Sequence, residues 1–401
     1  MGDLDLSGPA FHTDPYGELA RLRGQDWYAG TAIGPAVLRY REVQALLSMR
    51  ELRTPGADFL AAQGIADGPL VEVMRGFLLN ADGAAHARVR RIVNRAFTTR
   101  RVNDFRASVV AVADDLLDAM AARRECDFVA AFAEPFALRV LYRFVGIPED
   151  RAAQLQRWTS DVGLIFGFSV VEHRARIESA LRDLQLFLDE LLAERRAAPR
   201  EDLLSALVAA RDEDDLLTDA ELRAMVVTLM SAGQGTVQHQ LGNAMAAFLR
   251  HPDQWRLLAT RPQLAAIAAE EVVRHSPSAL LGVPRVAKVD VALNGLELPA
   301  GSCVLPVTGS ANRDATVFDR PDVLDITRPR TAHLTFGGGI HFCLGAALAR
   351  LELTEALPRL AARIREPHAA GPGTWLPPTE AVYGPLTLPI RYTSPDPGKT
   401  R

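Results

Sequence analysis

Ten residues toward the C-terminal end, Phe336-Gly337-Gly338-Gly339-Ile340-His341-Phe342-Cys343-Leu344-Gly345, place one of three cysteines behind a run of glycines and ahead of a helical pattern. Three chemistries could use that arrangement. Phosphate binding fails on spacing: after Gly337 and Gly339 the third position of G-x-G-x-x-G is Phe342, and no Lys-Ser/Thr follows as a P-loop requires. A thiol nucleophile would take His341 as its base, but residues adjacent on a chain point apart. The third chemistry is metal ligation by a thiolate. A helix beginning near Cys343 stabilises a sulfur anion through its free N–H groups and its dipole, and glycines leave room for a bulky flat partner. Thiolate ligation of a haem iron fits all three features; a lone buried cysteine outside such a setting is usually structural.

A second unusual stretch lies upstream. "LTDAELRAMVVTLMSAGQGTVQHQLGNAMAAFLRHPDQW" opens with a capping box, Thr218 with Glu221, and continues with apolar residues at 222, 225, 226, 229 and 230 before ending near His251-Pro252. Some thirty helical residues make a rod of about 45 Å, which must run through a core. Gly233 and Gly235 stand in its middle, each costing roughly 1 kcal/mol relative to alanine. Close packing against another helix would compensate for them. So would a flat ligand lying against this turn, with the Thr236 hydroxyl beside it.

The elements around these stretches are mostly helical, with Ala-, Leu- and Arg-rich segments of period near 3.6 around residues 105–123, 175–197 and 345–366. The exception is 283–309, where apolar and polar residues alternate around Asn294-Gly295, a two-residue hairpin signal. The fold class is therefore mainly α with a small β region. Loops are expected at 53–69, in the acidic run 211–219 and in the tail. No repeat, low-complexity tract or linker appears, so a single domain over 1–401 is expected, with 1–10 and 394–401 flexible.

Composition excludes several classes. Forty-five basic and 49 acidic residues give a net charge of −4 without a basic stripe, which argues against nucleic acid as a partner. The N-terminal stretch is acidic and interrupted by proline, and no apolar run reaches the eighteen or so residues of a membrane span. Cys126, Cys303 and Cys343 fit neither a disulfide framework nor a zinc pattern, and a reducing cytoplasm is the expected location.

The Phe336–Gly345 stretch resembles the haem-binding signature of the cytochrome P450 family, matching its Phe336, its spaced glycines Gly337 and Gly339, its Cys343 and Gly345 two residues on. The resemblance keeps family order over nearly the whole chain. Glu271-Val272-Val273-Arg274 matches the family's Glu-x-x-Arg, whose ends share a helix face, and Arg328 in "DITRP" joins them as a structural brace. Ala311-Asn312-Arg313-Asp314 matches another structural stretch. "DGAAHARVRRIVNRAF" resembles the helix that contacts the haem propionates, with His86 and Arg90 on one face; Arg285 and His341 match two further positions that supply cations there. Ala232-Gly233-Gln234-Gly235-Thr236 resembles the oxygen-binding turn. Relatives usually carry an acid before that threonine, where this chain has Gly235; water held by Thr236, a polar group of the substrate, or Gln234 would have to replace it.

What the resemblance implies is a cytochrome P450 fold whose long helix crosses a single domain holding haem b (iron protoporphyrin IX), with the Cys343 thiolate on iron. Thiolate donation favours O–O cleavage, so the implied activity is monooxygenation, with hydroxylation of a small apolar or aromatic metabolite of secondary metabolism ahead of oxidative coupling or desaturation. A non-catalytic haem-thiolate gas sensor and peroxide-driven chemistry by the same iron are the alternatives. The resemblance places substrate near Phe59, Leu79, Phe166, Phe168, Leu281 and Val283, although aromatics at helical spacing are as often core. Electrons would come from a ferredoxin-type donor with its NAD(P)H-dependent reductase, for which Arg88, Arg91 and Arg95 are candidate docking residues.

Overall fold

The computed structural model describes residues 2–167, 170–212, 217–329 and 332–394. The chain forms two compact units. One comprises Met1–Leu52, Arg106–Ala137 and Gly235–Arg401; the other comprises Arg53–Phe105 and Leu138–Gln234.

The first unit carries the β structure and both conspicuous stretches of sequence from Gly235 onward. Helices appear where the period predicted them, at Arg106–Ala121 and Ala346–Arg363, and these two pack on each other. Ala265–His275 lies against the Ala346–Arg363 helix as well. The hairpin forms at its predicted turn: Val291–Leu293 pairs antiparallel with Leu296–Leu298, Val291 opposite Leu298 and Leu293 opposite Leu296. Asn294 and Gly295 take φ of 47° and 86°, the positive values that a two-residue hairpin with the native strand twist requires. Arg285–Ala287 and Cys303–Pro306 join a larger sheet in which Ala36–Val37 runs parallel to Leu305–Pro306. A three-stranded sheet brings Pro389–Thr393 between Glu125–Asp127 and Arg365–Ala369. Of the two ends expected to be flexible, residues 2–10 are tied down: Leu4 is buried, its N–H donates to Gly30 O (2.8 Å), and Pro9–Thr13 is helical. Residues 395–401 lie outside the described residues.

The second unit is helical. Val170–Ala197 packs along Ala152–Gly163 and Leu203–Asp212, with Trp158 and Phe187 rings 6.1 Å apart. Its buried corner is Arg195, only 1% exposed, which donates from Nε to Asp202 (2.8 Å) and from Nη2 to Gly146 O (2.7 Å). Gly146 can sit there because its φ is +98° and a Cβ would fall 2.3 Å from the Asp202 carboxylate. The stretch 53–69, expected as loop, contains the short helix Asp58–Ala61 and runs into Pro69–Gly76. Residues 213–216 of the acidic run lie outside the described residues.

Asp219–Arg250 is the long helix, unbroken for 32 residues, and the boundary between the units falls on it at Gln234/Gly235. Its capping box is made as the sequence predicts: Glu221 N–H donates to Thr218 Oγ1 (3.1 Å) and Thr218 N–H to Glu221 Oε2 (2.8 Å), an arrangement worth about 1 kcal/mol. Among the described residues no helix is long and apolar enough to cross a membrane.

Candidate active site

The cysteine loop is shaped by its backbone. Gly337 and Gly339 have φ of +72° and +60°, which side-chain-bearing residues rarely adopt. Gly339 has a second reason to be glycine, because a Cβ would lie 2.7 Å from the Leu47 carbonyl oxygen. The loop closes on itself when Cys343 N–H donates to Phe336 O (2.9 Å) and Gly337 N–H to Leu334 O (2.9 Å). The thiol is exposed. The following helix begins at Ala346, capped by Gly345, and so starts three residues beyond Cys343 rather than at it; a Cβ on Gly345 would stand 4.0 Å from Sγ, at ordinary contact distance. His341 occupies the single 3₁₀ turn Gly339–His341 and is half-buried.

Behind the loop stands a support that the sequence did not reveal. The Arg350 guanidinium lies 4.5 Å above the Phe336 ring and is held by Glu270 through bonds of 2.6 and 3.2 Å. His333 approaches the same carboxylate at 3.5 Å and packs its ring 5.3 Å from Phe336. Burial alone would raise the Glu270 pKa, but His333 and Arg350 outweigh it and hold it at about 2. The charged pair thus orients the aromatic ring that opens the cysteine loop.

Glu271, Arg274 and Arg328 meet as expected. Arg274 grips Glu271 with two parallel bonds of 2.8 Å, and Arg328 Nε adds a third at 3.1 Å. Glu271 and Arg274 are 3% and 2% exposed. Arg274 also donates to Asn312 O and Pro321 O, both 2.8 Å. Asn312 in turn accepts from Leu334 N–H (2.7 Å) and donates to Thr335 (2.8 Å), immediately ahead of the cysteine loop. The brace therefore runs from helix to ligand loop by an unbroken set of hydrogen bonds.

On the long helix the two glycines have different explanations. A Cβ on Gly233 would fall 2.8 Å from Leu141 Cδ1, so close packing of a neighbouring side chain accounts for it. At Gly235 the nearest atom to a Cβ would be Val382 Cγ2 at 3.9 Å, ordinary contact distance, so no clash demands glycine there. Ala232 is exposed and Thr236 half-buried. Gln234 is buried, and its carbonyl oxygen accepts from the Thr159 hydroxyl (2.9 Å), which ties this amide to a neighbouring helix.

His86 is buried on the helix Gly83–Ala96 with Arg90 one turn on. Its pKa is lowered by burial first and then by the Arg90 charge, with Asp82 opposing. Among the candidate docking arginines on that helix, Arg88 is paired with Glu221, while Arg91 and Arg95 are exposed. Of the candidate pocket residues, Phe166 stacks on buried Phe77 at 5.5 Å; Phe59 and Leu79 are half-buried. Leu281 packs against the core cluster around Phe11 and Leu305, and Val283 is 40% exposed. Phe168 lies outside the described residues.

Arg285 tests whether these residues suit a haem. It is 5% exposed, and among the described residues its Nη1 donates to the Val283 and Pro284 carbonyls (2.8 and 3.3 Å). Burial pushes its pKa down to about 10, and no carboxylate of the described residues offsets that cost. A buried guanidinium without a counter-charge is expensive, and a propionate is the bidentate partner its geometry accepts. The residues fit the group. Arg285→Leu is accordingly expected to leave the fold intact and to weaken haem retention, read as faster haem transfer to an apo-globin acceptor.

Comparison with known proteins agrees with this geometry. The cytochrome P450 family model matches residues 160–260 and 254–363. Luteothin monooxygenase of Streptomyces thioluteus is 37% identical over 391 residues, covering 97% of this chain and 95% of that protein. Mycinamicin IV hydroxylase/epoxidase of Micromonospora griseorubida is 36% identical over 401 residues, covering 97% and 94%. The crystal structure of CalO2 superposes with a TM-score of 0.92 at 31% identity, covering 98% of this chain and 100% of that one. The chain belongs to the cytochrome P450 family. It is a haem-thiolate monooxygenase: its cofactor is protoporphyrin IX haem held by the thiolate of Cys343, and it acts with dioxygen, a small-molecule substrate and an external source of electrons. The gas-sensing alternative gains no support, since these relatives are named for catalysis.

Proposed function

We propose that this monooxygenase hydroxylates a small, largely apolar metabolite of bacterial secondary metabolism, in the cytoplasm, with electrons from a ferredoxin-type donor reduced by an NAD(P)H-dependent reductase. The activities for which the relatives are named support the metabolite class. The single observation that carries the site assignment is the buried Arg285, without a carboxylate partner among the described residues, in the same unit as the glycine-shaped Cys343 loop. His341 joins Arg285 toward the propionates, and His86 and Arg90 are added from the family resemblance. When bound, the haem supplies the activation of dioxygen.

The chain's own contribution is to position substrate, exclude bulk water and hold a proton where it is needed. Thr236 presents a hydroxyl that can both donate and accept. Gln234 is a poor substitute for the missing acid: its carbonyl oxygen is committed to Thr159, and an amide is no general acid at neutral pH. Ordered water at Thr236, next to the space that Gly235 leaves, is the remaining protein-held route. Leu281 and Val283, in the unit that carries Cys343, supply apolar wall.

Substrate-dependent consumption of NADPH and oxygen with a ferredoxin and its reductase tests this function, and product mass distinguishes hydroxylation (one oxygen gained) from coupling or desaturation (two hydrogens lost). For the proton route, Thr236→Ala is expected to lower coupled product about a hundredfold, the lower end of what a positioned proton donor supplies, and to raise peroxide released per electron. Gln234→Ala should change coupling far less. Gly235→Asp, whose Cβ would stand at ordinary contact distance from Val382, should raise coupling above that of the parent protein. Unchanged coupling in Thr236→Ala discards the route.

A further inference from the structure

The long helix carries three buried polar residues just beyond Thr236 that no step above uses: His239, Gln240 and Asn243, exposed by 5%, 5% and 2%. Each bonds to the backbone of one of two other segments. Gln240 donates from Nε2 to Ser276 O (3.0 Å) and Val272 O (3.3 Å) and accepts from Ser278 N–H (2.9 Å). Its amide is fully used at the residues that lead into the Leu280–Pro284 turn. Asn243 Nδ2 donates to Tyr383 O (2.8 Å). His239 Nδ1 lies 3.1 Å from Pro385 O; a carbonyl can only accept, so Nδ1 carries the hydrogen. Burial lowers the His239 pKa, the Pro385 bond opposing, which favours the neutral ring that this tautomer requires.

Steric fit fixes the same segment. A Cβ on Gly384 would fall 2.7 Å from His239 Cβ, and one on Gly242 would fall 2.6 Å from Pro385 Cγ. Residues 382–385 are therefore laid directly along the helix, and at their near end Val382 faces Gly235, the residue before Thr236. The two held segments also bond to each other, Tyr383 N–H to Ser278 O at 2.7 Å.

We propose that His239, Gln240 and Asn243 form a polar clamp that sets the positions of two walls, the Leu280–Pro284 turn already assigned to the substrate pocket and the Val382 segment, added as a second wall because it faces Gly235 beside Thr236, and so selects among substrates without touching them. These are positioning residues. The inference rests on the pocket reading given above and extends it to residues outside the pocket. Three properties suit them to that role. Their bonds go to backbone, which moves a whole segment rather than one side chain; they leave from a single rigid helix; and both walls take their register from the helix that presents Thr236. A buried amide that loses its partners leaves several donors and acceptors unsatisfied, which drives the segment to rearrange.

The test is ligand binding to the holoenzyme, followed by displacement of the Soret band, with a panel of flexible fatty acids, rigid steroids and macrolactones. Gln240→Ala and Asn243→Ala are expected to change the ratio of rigid-ligand to flexible-ligand Kd by about tenfold while retaining the carbon monoxide spectrum of thiolate-bound haem. His239→Leu should do the same, and His239→Asn, whose amide N–H can stand in for Nδ1–H, should restore the parental ratio. Gln254→Ala is the control for a purely structural role: it removes an amide bridge of the same kind, Gln254 Oε1 to Ile326 N–H at 3.0 Å, and should lower Tm with the ratio within about twofold of the parent. If Gln240→Ala does not fold, the His239 pair decides the question. A Kd ratio unchanged in the clamp variants, or changed equally by Gln254→Ala, overturns the clamp alone. A parent protein whose Soret band no member of the panel displaces overturns the pocket reading, and the clamp with it.

Discussion

Cys343→Ala is expected to abolish monooxygenation and the carbon monoxide band of thiolate-bound haem while leaving a folded protein. The fold should survive because the loop takes its shape from its backbone. Positive φ at Gly337 and Gly339 and the backbone bond from Cys343 N–H to Phe336 O set that shape, and alanine keeps all three. The thiol is exposed, so its removal opens no core cavity of the kind that costs several kcal/mol. Loss of turnover should be complete within detection, because a histidine or water ligand does not promote O–O cleavage as a thiolate does. Far-ultraviolet circular dichroism and the reduced, carbon monoxide-treated spectrum separate the two halves of the expectation. Product formed at the parental rate by Cys343→Ala would remove sulfur ligation from the account altogether.

The ligand loop was legible in the sequence because its information is local: residue types at fixed spacing demand a turn with positive φ and place a thiol at its end. Long helices were legible for the same reason, their period repeating over many turns, as in Val170–Ala197 and Ala346–Arg363. The hairpin at Asn294-Gly295 announced itself through one dipeptide. What stayed hidden is made by distant pairing. Ala36–Val37 is a strand only because Tyr28–Ala29 and Leu305–Pro306 lie on either side of it, and two residues are too few to carry a period. The C-terminal strand Pro389–Thr393 likewise takes its partners from Glu125–Asp127 and Arg365–Ala369.

The site shows the same division. Gly233 and Gly235 look alike in the sequence, yet a Cβ at the first would collide with Leu141 while one at the second would meet Val382 at ordinary contact distance, a difference set by the neighbouring side chain. His239, Gln240 and Asn243 read as polar residues of a helix and suggest a solvated face; only the carbonyls and amides of 276–278 and 383–385 explain their burial. Polar residues clustered within two turns of an otherwise apolar helix were the available signal. The Glu270–Arg350–Phe336 support was hidden because cation–π geometry has no sequence spacing.

Glu271→Ala should have the largest effect on stability of any substitution away from the ligand. In the folded protein two arginines share that carboxylate, and Asp325 N–H donates to it as well (3.0 Å). Alanine would leave Arg274, 2% exposed, with a buried positive charge and no counter-ion. Removing one partner of a buried ion pair costs about 3–5 kcal/mol, a large share of the roughly 5–15 kcal/mol by which a folded domain exceeds its unfolded state. The loss should also reach the haem, because Arg274 holds Asn312 O, and Asn312 bonds Leu334 and Thr335 at the start of the cysteine loop. Glu271→Ala is therefore expected to yield little haem-loaded protein and a much lowered Tm. Glu271→Gln, which keeps an acceptor for Asp325 and one arginine, should be less severe. Arg274→Lys should not rescue the site, since an ammonium cannot make two parallel bonds to one carboxylate and still reach both Asn312 and Pro321. A double variant Glu271→Leu/Arg274→Met separates charge from shape: it removes the pair together, so a Tm above that of Glu271→Ala means that the stranded guanidinium caused the loss. Equal Tm for the single and double variants would instead assign it to packing between the helix Ala265–His275 and the segment 312–328.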